Sequence, residues 1–172
     1  MTQAFDPQQF RAALGQFATG IAVVTAVGPE GRPAGVTVNS FASVSLDPPL
    51  VLWCLAHKAA TMPVFQAAGH FAVNILAADQ VEFSNRFALP QADRFAGVDW
   101  TPGLGGAPLL DGCCARLECR AETRHGAGDH VIFVGRVERL AREERPPLIY
   151  HASRYGALAE LPAAPKVAQT PM

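Results

Sequence analysis

Residues 35–49 read GVTVNSFASVSLDPP. Val36, Val38, Phe41, Val44 and Leu46 give this run the apolar, β-branched character of a strand. Thr37, Asn39, Ser40, Ser43 and Ser45 interrupt it with short hydroxyl and amide side chains. A strand that only fills a core has no need of so many hydrogen-bonding groups. Small polar groups beside an accessible backbone suit a phosphate or a flat heterocycle. A half-buried strand and turn with ordinary Ser and Thr side chains accounts for the same composition. Asp47-Pro48-Pro49 stops the run, because proline cannot donate to a sheet ladder.

Upstream, GPEGRP at residues 28–33 is a turn dense in breakers, and residues 21–27 read as a strand. Asp6-Pro7 is a helix start, with Asp as N-cap and Pro in the first turn. Phe10, Ala13, Leu14 and Phe17 then fall at i, i+3, i+4 and i+7, a stripe that a helix is expected to bury.

Downstream, residues 50–55 are continuously apolar, as in a strand covered on both faces. A helix is expected over residues 59–68, a strand over 71–76, and a helix capped by Asp79 running to Phe87. Residues 90–108 carry little pattern and read as a long irregular excursion with a short helix at most. The clearest period follows: Cys113, Ala115, Leu117, Cys119 and Ala121 alternate with Cys114, Arg116, Glu118, Arg120 and Glu122, a strand with one wet face. Residues 125–129 supply a hairpin connection, 131–140 the returning strand, and 148–151 a last short strand. Short strands joined by hairpins, with two or three helices, predict a mainly β fold: an antiparallel barrel with peripheral helices.

The 172 residues predict a single domain over residues 1–160, followed by a Pro/Ala-rich tail at 161–172. A net charge of −1, with no basic stripe among aromatics, argues against nucleic acid or an anionic membrane as a main partner. No apolar run approaches the ~20 residues that span a bilayer. MTQAFDPQQF has neither the basic region nor the apolar core of a signal peptide, so the expected location is cytoplasmic. Cys54, Cys113, Cys114 and Cys119 lack C-x-x-C spacing and read as free thiols. The histidines are too scattered for a metal site. Neither GLGG at residues 103–106 nor GAG at 126–128 makes a dinucleotide-binding G-x-G-x-x-G between a strand and a helix.

Taken in order, residues 10–25, the 35–49 run, and residues 50–61, 71–76, 128–137 and 150–158 resemble the flavin-reductase-like family. These are small FMN-binding split-barrel proteins that supply reduced flavin to two-component monooxygenases. The resemblance implies a split β-barrel, FMN or FAD, NADH or NADPH as co-substrate, a homodimer, and an oxygenase that receives reduced flavin. It also places Thr37, Val38, Asn39 and Ser40 near the flavin ribityl chain and phosphate, helped by Cys54, Leu55, Lys58 and Thr61. Lys58 could balance a phosphate charge or be a solvated surface lysine. Many relatives carry a further hydroxyl where this chain has Ala59 and Ala60, which leaves Thr61 as the side-chain hydroxyl there. Arg86 and Phe87 match the position that completes the flavin site, although Arg86 also reads as a surface charge.

His130, in GDHVIFVG, matches a family histidine near the flavin ring and the nicotinamide. A hydride moves directly between the two rings, so the protein has to stack and align them, and His130 is cast as a positioning and electrostatic residue. Asp129 orients it or caps the hairpin. His151, Arg154 and Tyr155, in YHASRYGAL, match the segment that contacts the pyridine nucleotide. Arg32, Arg86 and Arg94 cannot be placed against a ribose phosphate from sequence, which leaves NADH and NADPH equally open. The alternative function is a flavin-binding electron carrier on the same barrel, without rapid nicotinamide turnover.

Overall fold

In the computed structural model, which describes residues 6–89 and 93–159, the run at residues 35–49 is two strands rather than one. β1 (Thr19–Gly20), β2 (Ala22–Val27) and β3 (Pro33–Val38) precede a break at residues 39–41. β4 (Ala42–Leu46) then turns through a cis Asp47–Pro48 peptide into β5 (Pro49–Ala56). β6 (His70–Ile75), β7 (Trp100–Pro102), β8 (Pro108–Leu110), β9 (Ala115–Ala127), β10 (His130–Arg142), β11 (Ile149–His151) and β12 (Arg154–Gly156) complete the strands. The helices are α1 (Pro7–Leu14), α2 (Met62–Ala67) and α3 (Val81–Ala88). The expected tail at residues 161–172 lies outside the described residues.

Seven strands form one antiparallel sheet in the order β3-β2-β6-β9-β10-β5-β4. Its two edge strands are consecutive in the chain and joined by three residues, so the sheet has to curl until β3 and β4 approach each other. Ser40 pins that crossing: its Oγ accepts from Cys54 N at 2.9 Å and lies 3.3 Å from Cys54 O. A mainly antiparallel β fold with few helices, consistent with a split barrel, is what the sequence predicts.

The barrel interior is aromatic. Trp53 stacks on Phe133 (centroids 4.6 Å apart, 12° between planes), and Phe65 and Phe71 meet Trp53 edge-on. All four are buried, and each such side chain contributes roughly 1.5–3 kcal/mol by leaving water. Cys119 joins this core and Cys113 a second one with Phe87, Leu110 and Leu148. Burial pushes both thiols up to about 12.

Several expectations need correction. Asp6 caps α1 as expected, accepting from Gln8 N at 3.1 Å. Yet α1 buries none of its residues, and Phe10, Leu14 and Phe17 are 54%, 58% and 78% exposed. β5 is covered on one face only: Val51, Trp53 and Leu55 are buried while Leu50, Leu52, Cys54 and Ala56 are half-exposed. A continuous apolar run therefore hid an alternation.

Asp79 does not cap α3. It pairs with Arg145, and Gln80 occupies the cap position while its side chain bridges Ala77 N and Asp111 O. Within the 90–108 excursion, β7 pairs with β8 around a 3-10 turn at Leu104–Gly106. Residues 90–92 lie outside the described residues. β9 and β10 run closer to the hairpin tip than expected, leaving only Gly128 and Asp129 as the turn. Cys113 and Cys114 precede β9 rather than open it. β12 was not expected, because Ala152-Ser153 carries no turn signal.

Candidate active site

β5 ends at Ala56, and the chain turns through residues 57–61 into α2. Beside this turn lies an open cleft of about 1150 Å³. Its walls come from β3 (Gly35, Val36), the turn after β5 (Lys58, Thr61), the end of α3 (Phe87) and residues 93–96 (Arg94, Phe95), with Arg32 at its margin. The cleft exists because β3 carries a glycine where α3 crosses it. A Cβ at Gly35 would stand 2.6 Å from the Phe87 ring, so only a glycine lets that ring lie against the strand.

Residues 93–96 are clamped over the same place. Arg94 Nη1 donates to Gly35 O at 2.8 Å and Arg86 Nη1 to Ala96 O at 2.7 Å. Asp93 Oδ1 accepts from Phe95 N and Ala96 N, and Phe95 meets Phe87 edge-on at 5.0 Å.

The sheet register brings His130 to this turn, since His130 pairs with Ala56, a cleft residue. His130 Nδ1 lies 2.7 Å from Asp129 Oδ1. Asp129 O in turn accepts from His57 N at 2.9 Å, which ties the β9–β10 tip to the end of β5. The hydrogen bond from His130, its charge, and a smaller contribution from Lys58 hold the Asp129 carboxyl below the usual carboxylate range. Lys58 lines the cleft, while Asp129 and His130 stand at the neighbouring hairpin tip, beside Ala56 in the sheet.

The structure does not gather all the residues singled out in the sequence. Lys58, Thr61 and Phe87 line the cleft, and Arg86 anchors its wall. Thr37 spends its hydroxyl on Ser84 O at 2.7 Å, and Ser40 spends its own on Cys54. Val38 and Leu55 are buried in the core, and Asn39 is exposed in the break between β3 and β4. Cys54 is half-exposed opposite Ile132. Ser43 and Ser45 lie on edge strand β4, opposite Val51 and Leu50. At ~3.3 Å per residue along β5 this is at least ~16 Å from Ala56.

His151, Arg154 and Tyr155 border a second concavity of about 570 Å³ on the β11–β12 hairpin. Of the polar side chains at residues 37–45, Ser40 ties the β3–β4 break to β5 and Thr37 ties β3 to α3. Arg32, Gly35, Arg94 and Phe95 are cleft residues that sequence reasoning did not assign; Gly35, Arg94 and Phe95 are set there by neighbours distant in the chain.

The donor set fits a ligand that is anionic at one end and flat and apolar at the other. Lys58 and Arg94 supply positive charge beside Asp93, Arg32 being paired with Glu30, and Thr61 has a hydroxyl that makes no capping bond. Val36, Val64 and Phe87 supply apolar surface. A flavin phosphate and ring system has that character. Among the described residues no cluster of three or more His, Cys, Asp or Glu could hold a metal. No helix among them is long and apolar enough to cross a membrane.

Comparison with known proteins gives consistent results. Residues 14–159 match the family model described as a flavin reductase like domain. An FMN reductase (NADH) of Agrobacterium fabrum is 49% identical over 151 residues, covering 88% of this chain and 86% of that protein. The reductase subunit of a flavin-dependent monooxygenase from Rhodococcus jostii is 42% identical over 156 residues, covering 90% and 80%. Among solved structures, an NADH:FAD oxidoreductase of Streptomyces globisporus in complex with NAD and FAD fragments superposes with a TM-score of 0.85. It is 39% identical to this chain, covering 92% of it and 98% of that protein.

Proposed function

The chain belongs to the flavin reductase like family, and we propose that it is an NAD(P)H:flavin oxidoreductase that supplies reduced flavin to a partner monooxygenase. The observation that carries this reading is the meeting at one cleft of the turn after β5 (Lys58, Thr61) and the β3 backbone at Gly35, with His130 paired in the sheet to the cleft residue Ala56. When bound, the nicotinamide supplies a hydride from C4 and the flavin ring, FMN or FAD, accepts it at N5.

The chain's own part is to hold, align and shield. Lys58 and Thr61 take the flavin phosphate, and Val36 and Phe87 give the apolar surface beside it. His130, bonded to Asp129 and paired with Ala56, would help orient the two rings without acting as a nucleophile. His151 and Arg154 on the β11–β12 hairpin meet the nicotinamide nucleotide, with Arg154 toward its pyrophosphate. No G-x-G-x-x-G phosphate loop is needed, because charge is met by side chains.

The protein acts as a homodimer in the cytoplasm. The outward apolar stripe of Phe10, Leu14 and Phe17, with the exposed Val44 and Leu46 of edge strand β4, supports self-association. Light scattering at micromolar concentration reads a dimer mass if this is right and a monomer mass if it is not.

The activity itself is tested by loss of 340 nm absorbance from NADH and from NADPH, with FMN or FAD titrated in. Oxidation that saturates with added flavin is the expected result. A tightly held yellow cofactor with no turnover of either nicotinamide would replace the reductase by an electron carrier.

A further inference from the structure

β12 is held to the rest of the chain by very little. It is the outer strand of the sheet β1-β11-β12 and pairs with β11 alone. Its turn residues, Ala152 and Ser153, sit at φ 46° and 62°, a region that L side chains enter at a cost. β11 is anchored better, through β1 and through Leu148, which is buried and donates its N–H to Leu76 O at 3.0 Å.

The hairpin turn is tied to the end of α1, where Ala152 N donates to Gly15 O at 2.8 Å. Among the described residues, the hydrogen bonds that join β12 itself to anything outside its hairpin are made at one atom, the Tyr155 hydroxyl. It donates to Asn85 Oδ1 at 2.7 Å and lies 3.0 Å from Ser84 Oγ. With its proton committed to Asn85, the phenol oxygen accepts from Ser84. Ser84 is 1% exposed, and its carbonyl accepts the Thr37 hydroxyl. The phenol therefore links the hairpin to α3, and the Thr37 hydroxyl links α3 to β3, a strand that lines the cleft. The Tyr155 ring leans on Tyr150, with centroids 5.7 Å apart.

We propose that Tyr155 is a positioning residue, whose hydroxyl fixes the β11–β12 hairpin to α3 and so sets how His151 and Arg154 meet the nicotinamide nucleotide. This rests on the reading of that hairpin as nucleotide-facing. Its consequence is selective. Loosening the hairpin weakens the hold on the nucleotide, while Lys58, Thr61 and Phe87, on other elements, keep the flavin.

The test is Tyr155→Phe in the full chain, which keeps the ring and removes both bonds. KM for NADH should rise about five- to tenfold, with kcat at saturating NADH and KM for flavin within about twofold of wild type. Amides of residues 149–157 should exchange faster with deuterium. Asn85→Ala should raise KM for NADH in the same direction, and adding it to Tyr155→Phe should cost less than the sum of the two.

An unchanged KM for NADH in Tyr155→Phe, with Arg154→Ala raising it, overturns the positioning role alone. So does an equal rise for flavin and NADH, or strict additivity with Asn85→Ala. His151→Ala and Arg154→Ala both leaving KM for NADH unchanged overturns the nucleotide-facing hairpin and the proposal with it.

Discussion

His130 Nδ1 and Asp129 Oδ1 stand 2.7 Å apart at the tip of the β9–β10 hairpin, directly opposite the end of β5. Two neighbouring residues rarely bond side chain to side chain along a strand, because successive side chains leave opposite faces. Here Asp129 is the last turn residue and His130 the first of β10, so the alternation has not yet begun.

This pair fixes the sign of one pH effect. Asp129 titrates below its ordinary 3.8 because His130 bonds and faces the carboxylate. A lowered folded-state value means the unfolded chain takes up the proton first as pH falls. The contribution is therefore present above about pH 4 and lost as pH drops through the lowered value. Asp129→Asn should lower Tm slightly at pH 7, and the gap to wild type should close in strong acid. A gap that persists or widens at pH 2–3 would contradict the assignment. The effect is small, because the carboxylate is exposed.

His130→Ala should slow flavin reduction more than it weakens flavin binding. Stopped-flow reduction by NADH is expected to fall on the order of 10- to 100-fold, the scale set by imperfect alignment of two reactants. Flavin affinity, read by fluorescence quenching, should change far less. Equal single-turnover rates in mutant and wild type would remove His130 from the reaction.

Lys58→Ala separates phosphate from ring recognition. Its KM for FMN should rise about 10- to 100-fold, the worth of one charge-assisted hydrogen bond. Riboflavin, which lacks the phosphate, should be handled almost equally by both proteins. A matching loss with riboflavin would place Lys58 at the ring or show a general structural defect.

Gly35→Ala tests the floor of the cleft. The new methyl would meet the Phe87 ring at 2.6 Å and Phe95 at 3.3 Å. Both rings are held by packing in the second core, so overpacking of about 1–3 kcal/mol is expected. Chemical denaturation should show this loss with an unchanged m-value. Flavin binding should weaken as α3 and residues 93–96 are displaced. A protein as stable as wild type would mean that Phe87 moves aside without cost.

The split between what sequence and tertiary structure decided follows from the range of the forces involved. Local rules specified the Asp6 cap, the alternation along β9 and the proline stop before β5, because each depends on residues within a few positions. The order of family-like segments carried the fold and the reductase activity, with His130, Lys58 and Thr61 as candidates.

Other features depend on contacts that no local pattern encodes. Residues 35–49 are split into two strands because β3 and β4 must reach opposite edges of a closing sheet. The α1 stripe stays exposed, which its periodicity alone does not reveal. The cleft joins Gly35 to Phe87 and Arg94, and the β11–β12 hairpin joins Tyr155 to Ser84, across separations of 52, 59 and 71 residues. Steric fit between a missing Cβ and a distant ring, or between one phenol and one helix, is set only when the chain has closed on itself.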